Sequence, residues 1–152
     1  MDAHKQPGIK FLGTDLVSIN FALRGALDPR IRYGIKFQTQ CIISDDKKHL
    51  DIMLATDLFG DLPSDNKPPI DFKFVHHARF EVVGNESMPL DEFAKFHAAA
   101  NLMPYVRELV TNITSRSVLP TLNIGPINLI ALSETGQADF VLHEEKKKLQ
   151  QT

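Results

Sequence analysis

The sequence is poor in the features that commit a chain to a special environment. Its 152 residues include a single cysteine, Cys41, so an internal disulfide is excluded and a buried thiol within a strand is expected. No stretch approaches the roughly 18 uninterrupted apolar residues of a membrane span. The first residues, MDAHKQPGIKF, lack the apolar core of a signal peptide. We therefore expect a cytoplasmic protein without membrane insertion.

Net charge is also low. The chain has 17 Lys and Arg residues against 19 Asp and Glu residues, a net charge of -2, which creates no field that would attract nucleic acid. Hydrophobic residues make up 43% and charged residues 24%, which is typical of a globular chain of one domain. We expect a single domain over residues 1–152, with flexible termini at 1–8 and about 143–152.

Motifs of known reaction centres are missing as well. The sequence contains no Walker loop, no G-x-G-x-x-G turn and no G-x-S-x-G elbow. His76 and His77 are adjacent in a predicted strand and so point to opposite faces, where they cannot share a metal ion. The aspartates around the loop GDLPSDNKPP, residues 60–69, do not match the spacing of a calcium loop. We predict no enzyme, no cofactor and no metal; the alternative is a small ligand-binding or enzymatic module near His76 and this acidic loop.

Four segments alternate between apolar and polar residues with a period of two, which predicts strands. They span residues 9–23, 31–43, 50–59 and 70–83. The polar turn at 44–48 predicts a hairpin between the second and third segments. Because no helix-length segment separates the four strands, we expect an antiparallel, meander-like sheet.

The apolar period changes after Leu90. Apolar residues then recur at three- and four-residue spacing as far as Ile113, which predicts a long C-terminal helix and a shorter second helix over one face of the sheet, an α+β fold. Pro104 is expected to kink this helix or restart it near Asn101. Residues 140–142 are expected to dock a short helix. The other side of the long helix carries small polar residues: Thr111, Asn112, Thr114 and Ser115. This side could pack against another helix or could be exposed to solvent, and the sequence favours neither.

The segment 118–132 contains no charged residue, although Pro120, Gly125 and Pro126 prevent a continuous helix there. An apolar segment of this kind packs on its own sheet, packs on another subunit, or lines a groove for an apolar partner. Composition and periodicity leave these three roles open.

The stretch MPYVRELVTNITSRSVLPTLNIGPIN, residues 103–128, resembles the signature of SecB, the cytosolic export chaperone. Members of that family show a P-Y-x-R-E start, a small polar run, and a P-x-L-N-L-x-P-V-N continuation. The matching residues are Pro104, Tyr105, Arg107, Glu108, Ser115, Arg116, Pro120, Leu122, Asn123, Pro126 and Asn128.

The resemblance implies a four-stranded antiparallel sheet covered by helices and a homotetramer, built as a dimer of dimers with the long helices between the sheets. It implies an ATP-independent holdase that binds unfolded or pre-secretory polypeptides in apolar grooves, through many weak contacts. On the same basis, the residues expected to bind clients are Leu50, Ile70, Leu119, Leu122, Ile124 and Ile127. The expected subunit interface consists of Thr111, Asn112, Thr114 and Ser115.

The chain departs from this family in its charge. SecB proteins that deliver clients to the SecA motor are acidic, whereas Lys73 stands here where the alignment would place a glutamate. Asp15 is the best match for a carboxylate that contacts the motor. A SecB-like chaperone for a dedicated client, such as an antitoxin, is therefore a second hypothesis. A structural adaptor with one fixed partner is a third.

Overall fold

The computed structural model describes residues 8–23, 32–61, 70–84, 88–117 and 119–144. Residues 1–7 and 145–152, most of the predicted flexible termini, lie outside the described residues, and so does 62–69, most of the acidic loop. The elements in chain order are β1 (Ile9–Leu23), β2 (Arg32–Ile43), β3 (His49–Asp61), β4 (Ile70–Val82), α1 (Leu90–Lys95), α2 (His97–Ser115), α3 (Leu129–Glu134) and β5 (Ala138–Glu144).

The strands form one sheet in the order β1-β4-β3-β2-β5. The neighbours β2, β3 and β4 are antiparallel, β1 pairs antiparallel with β4, and β5 runs parallel to β2. The predicted four-stranded meander is therefore wrong in two respects, since the sheet has five strands and β1 does not neighbour β2. Alternation identifies a strand and its faces, but it carries no information on which strand becomes the partner.

The turn between β2 and β3 confirms the predicted hairpin. The N–H of Ser44 donates to the carbonyl of His49 at 3.0 Å, and Lys47 adopts a φ of 58°. The carboxylate of Asp46 accepts hydrogen bonds from the Ser44 hydroxyl at 2.6 Å and from the Lys48 N–H at 3.0 Å. The Ser44 bond is the main cause that lowers the pKa of Asp46. A short aspartate turn therefore fixes the register of the two strands.

Apolar side chains cover one face of the sheet, which we call the inner face, and helices α1 and α2 pack on it. Its fully buried residues include Phe72, Phe74, Leu54 and Ile52, and Val106 and Val110 of α2 are equally buried. The other face, which we call the outer face, carries Lys36, Asp51, Lys73 and Arg79. Each of these residues is adjacent in sequence to a residue that is buried on the inner face. Cys41 is fully buried on the inner face, as predicted, and burial raises the pKa of its thiol to about 12.

The helices differ from the prediction in where they break and where they end. The break falls at Phe96, which has a φ of -133°, and α2 continues through Pro104. The proline leaves the carbonyl of Ala100, four residues earlier, without its helical partner, and Ala100 is exposed, so water can hydrate that carbonyl. The long helix is also not C-terminal, because α3 and β5 follow it.

Residues 140–142, expected to dock a helix, belong instead to β5. Its apolar side chains Ala138, Phe140 and Leu142 pack against the core on the inner face, whereas Val141 points outward and is 40% exposed. The sequence signal for this strand is the spacing of two between Ala138, Phe140 and Leu142, although the apolar Val141 interrupts the polar side of the pattern. The α+β class is thus right, with a fifth strand added at the edge beside β2.

Candidate functional site

The charge-free segment lies alongside α2, and we call residues 119–132 the apolar segment. The backbone of two of its residues, Leu122 and Ile124, is bonded to side chains of the helix. The Leu122 N–H donates to Thr114 Oγ1 at 2.9 Å, Thr111 Oγ1 donates to the Leu122 carbonyl at 3.1 Å, and Arg107 Nε donates to the Ile124 carbonyl at 2.9 Å. Because the helical partners move from 114 to 107 as the segment advances from 122 to 124, the segment runs antiparallel to α2.

These hydrogen bonds explain why α2 carries small polar residues. Residues 119–128 belong to no helix or strand, so their backbone N–H and C=O groups need other partners wherever water is excluded. Thr114 is completely buried and also donates to the Val110 carbonyl at 2.7 Å, so its hydroxyl serves the helix and the segment at once. Sequence reasoning missed this role, although the spacing of Thr111 and Thr114 on one side of a helix was visible.

The apolar segment is anchored at two points and half-buried between them. Leu119 is 6% exposed and Leu129 is 8% exposed, whereas Leu122, Ile124 and Ile127 retain partial exposure. An open cleft of about 660 Å³ lies between the segment and α2, lined by Arg107, Glu108, Thr111, Asn112, Asn123 and Ile124 among others. Leu122, Ile124 and Ile127 therefore pack against the core with part of their surface exposed, and the charged side chains of Arg107 and Glu108 line the same cleft.

The residues predicted to bind clients separate into two groups. Leu50 and Ile70 are fully buried between the sheet and the helices, and they add no surface to a groove. Leu119 is buried as an anchor of the segment. Strand alternation placed Leu50 and Ile70 on the apolar face, but only the packing of the helices decides whether that face is open. The predicted client-binding residues that retain exposed surface are therefore Leu122, Ile124 and Ile127.

The residues predicted to form a subunit interface also separate. Thr114 is interior and Thr111 is half-buried against the apolar segment, whereas Asn112 and Ser115 lie at the surface. The amide of Asn112 donates to Glu108 at 3.3 Å and accepts from Arg116 Nε at 2.9 Å. A polar ladder of residues four positions apart therefore runs along the exposed side of α2.

A second apolar surface lies on β1, which sequence analysis did not single out. Exposed fractions of its large side chains are 42% for Leu12, 45% for Leu16, 54% for Val17 and 43% for Ile19. The strand is at the edge of the sheet, and register shifts between Phe11/Gly13 and Leu16/Ser18 interrupt its pairing with β4. The alternation predicted β1 but gave no sign that the middle of the strand would remain exposed while Ile9, Phe11, Phe21 and Leu23 pack against the core.

Helix α2 runs beside this exposed strand. The rings of Phe11 and Tyr105 have centroids 6.1 Å apart near one end of β1. At the other end, a cleft of about 590 Å³ is lined by Phe21, Leu23, Ile113, Arg116 and Ser117. Apolar surface therefore continues from β1 to the flank of α2.

The alternative site around His76 finds little support in the geometry. His76 is 5% exposed on the inner face, burial lowers its pKa, and Nδ1 has no hydrogen-bond partner among the described residues. On the outer face, Asp51 Oδ1 lies 2.9 Å from His77 Nε2 and 3.0 Å from Arg79 Nε. Burial alone would raise the pKa of Asp51, but the bonds from Arg79 and His77 lower it. Asp15 is the cross-strand partner of His77.

Two absences hold for the part of the chain that is described. No three His, Cys, Asp or Glu side chains within it are grouped so that they could hold a metal ion. None of its helices combines the length and the apolar character needed to cross a membrane.

Comparisons with known proteins place the fold. No protein-family model matches the sequence. Over 134 residues, 87% of this chain and 86% of the relative, the sequence is 25% identical to the uncharacterized protein MJ0357 of Methanocaldococcus jannaschii. The solved structure of the SecB-like chaperone Rv1957 of Mycobacterium tuberculosis, in complex with a ChAD peptide from the Rv1956 HigA1 antitoxin, superposes with a TM-score of 0.67. That alignment covers 79% of this chain and 91% of the other at 20% identity, and the SecB-like fold is thereby confirmed.

The bond between α2 and the apolar segment can be tested at Thr114. Replacing it with Val keeps the volume but leaves the Leu122 N–H without an acceptor, so Thr114→Val should lower the free energy of unfolding by about 1–3 kcal/mol. Ser115→Ala, one residue away on the exposed side, should change it by less than about 0.5 kcal/mol. Urea unfolding monitored by circular dichroism measures both variants. Equal stability of the two would contradict the role assigned to Thr114.

Proposed function

We propose that this chain is a SecB-like chaperone that holds unfolded polypeptides without ATP. One observation carries the proposal: the apolar segment is free of charge, its side chains Leu122, Ile124 and Ile127 stay partly exposed although they pack against the core, and side chains of α2 hold its backbone in place. The SecB-like fold supports the same reading. The proposal requires no catalytic step and no cofactor.

The physical chemistry of the segment favours weak and unspecific binding. Complete burial of a Leu or Ile side chain stabilises a complex by roughly 1.5–3 kcal/mol, and side chains that are already half-buried retain about half of that gain. Leu122, Ile124 and Ile127 together therefore supply only a few kcal/mol. A client must also contact other apolar surface, and the exposed side chains of β1 offer it. Many weak contacts accept many different sequences.

Ordering the apolar segment before a client binds increases the affinity that these contacts can provide. A free apolar segment would have to lose backbone entropy on binding. Pro120 and Pro126 restrict φ, Thr111 and Arg107 donate hydrogen bonds to carbonyls of the segment, and Thr114 accepts one from the Leu122 N–H, so the segment is already ordered along α2. The cost of ordering is therefore met during folding and not during client binding.

A dedicated client such as an antitoxin is the second candidate, and one observation favours it. The SecB-like neighbour was solved with a peptide from an antitoxin. Delivery to SecA has less support from the surface charge, because β4, the strand that pairs with β1, carries Lys73 and Arg79 on the same outer face as Asp15. A partner that docks there meets both signs of charge.

Client binding can be tested by placing a charge on the apolar segment. Ile124→Asp should weaken the binding of unfolded protein about tenfold or more, because the carboxylate must lose water when a client covers it. Thr121→Asp is the matched control, since it adds the same charge at an exposed position of the same segment. The assay measures suppression of aggregation of thermally unfolded citrate synthase against chaperone concentration. If the wild-type protein leaves aggregation unchanged, the holdase function is contradicted. If the two variants weaken suppression equally, Ile124 is not part of the client-binding site.

For the oligomer, we propose that α2 pairs with α2 of a second copy in antiparallel orientation. Glu108 lies four residues before Asn112 and Arg116 lies four residues after it, and all three are exposed on one side of the helix. A two-fold axis at Asn112 would set Glu108 of each copy against the partner's Arg116, so the surface is complementary to itself. Ser115 adds a small side chain that allows close approach.

Charge exchange tests this pairing. Glu108→Arg should dissociate the oligomer because it opposes two cations, and Arg116→Glu should do so because it opposes two carboxylates. The double variant E108R/R116E restores opposite charges and should reassemble. Sedimentation velocity gives the mass of each species. If the wild-type protein is a monomer, or if all three variants have the same mass as the wild-type oligomer, the proposed register is refuted.

A further inference from the structure

Strand β5 differs from every other strand of the sheet. It has seven residues, it forms the edge beyond β2, and it is the last element of the described chain. Its pairing with β2 is parallel, whereas the other three strand pairs are antiparallel. Parallel pairing is slightly less stable per residue. β5 can leave the sheet without breaking any other pair of strands.

The strand covers residues that are more deeply buried than its own. Phe37, Thr39 and Cys41 of β2 are 3%, 5% and 0% exposed, and their register partners are Ala138, Phe140 and Leu142. All three partners on β5 are only half-buried. Departure of β5 would therefore open one edge of β2 together with part of the apolar inner face.

A pivot precedes the strand. Gly136 has a φ of +78°, a conformation that favours glycine, and the space around its Cα is open. On its far side the Phe37 N–H donates to the Gln137 carbonyl at 2.7 Å, which is the first bond that joins this part of the chain to β2. Rotation at Gly136 would move β5 relative to α3 and would break the hydrogen bond from the Gln137 N–H to the Leu132 carbonyl at 2.9 Å.

We propose that β5 is a displaceable strap, which occupies the edge of β2 in the free protein and gives way to an extended segment of a client. This inference rests on the proposed chaperone function and states the chemistry of the client. β5 itself shows that chemistry: the segment has apolar side chains at every second position on the inner face, places an aromatic ring opposite Thr39, and contains no proline.

Replacing β5 by a client strand leaves the number of backbone hydrogen bonds to β2 nearly unchanged. A client strand added to β2 replaces the bonds that β5 gives up, so main-chain pairing is nearly neutral and side chains decide the outcome. The strap lowers the apparent affinity by the fraction of molecules in which it is open. With an open state populated at about 1–10%, the strap weakens client binding roughly 10- to 100-fold. It thereby keeps the edge of β2 from pairing with unrelated strands.

A reversible covalent lock tests the strap in the full chain. Gln38 and Asp139 are register partners on the outer face and both are exposed, at the spacing of neighbouring strands, which a disulfide can bridge. The double variant Gln38→Cys, Asp139→Cys should lose client affinity at least about tenfold when oxidised and regain it when reduced. The probe is fluorescently labelled α-lactalbumin kept unfolded by reduction and carboxymethylation. This lock and its control are both introduced into a Cys41→Ala background, because Cys41 is one of the residues that departure of β5 would uncover.

A second lock serves as the control. Lys36 and Asp57 are register partners on β2 and β3, which remain paired in either state of the strap. Lys36→Cys with Asp57→Cys should bind the probe equally well when oxidised and reduced. Equal binding by the oxidised and reduced Gln38–Asp139 lock overturns the strap.

Hydrogen exchange of the free protein gives a readout that needs no client. The amides of β5 should exchange through a local opening, much faster than those of β3 and β4, and the oxidised Gln38–Asp139 lock should abolish that difference. Amides of β5 that are protected as strongly as those of β3 would overturn the strap, whatever the client assay shows. If β5 exchanges fast but the protein binds no client, the result supports the displaceable strap. It contradicts only the proposed chaperone function.

Discussion

The structure depends on one requirement: a stretch of chain outside helices and strands must find partners for its backbone. Between α2 and α3 that requirement is met by side chains of α2, chiefly by Thr114, which is fully buried and bonds both to the Leu122 N–H and to the Val110 carbonyl. Without these partners the backbone groups of the apolar segment would lack hydrogen bonds where the segment packs against the core.

The same requirement connects the fold to the proposed activity. The sheet and α2 supply a rigid base, and the hydrogen bonds at residues 107, 111 and 114 hold the segment on it. Exposed apolar side chains of β1 and the half-buried strand β5 lie at opposite edges of the same sheet. The molecule thus carries apolar surface on a preformed frame, which is what a holding chaperone needs and what a monomeric protein without partners would avoid.

Local features were predictable because they depend on local pattern. The period of two placed β1 to β4, the aspartate turn at 44–48 placed the hairpin, and the motif at 103–128 indicated the SecB-like fold. What failed depends on distant contacts. The pairing of β1 with β4, the burial of Leu50 and Ile70, and the inward role of Thr114 follow from how the elements pack. The sequence predicted a short helix in place of β5 because three consecutive apolar residues, Phe140, Val141 and Leu142, obscure the period of two.

The central claim is that apolar surface, held ready by α2, binds unfolded chains. Calorimetric titration of an unfolded client at several temperatures, in low and in high salt, tests it most directly, because burial of apolar surface lowers the heat capacity while charge pairing is screened by salt. The account predicts a clearly negative heat-capacity change and an affinity that high salt does not weaken. A heat-capacity change near zero, with binding that is lost in salt, would contradict it.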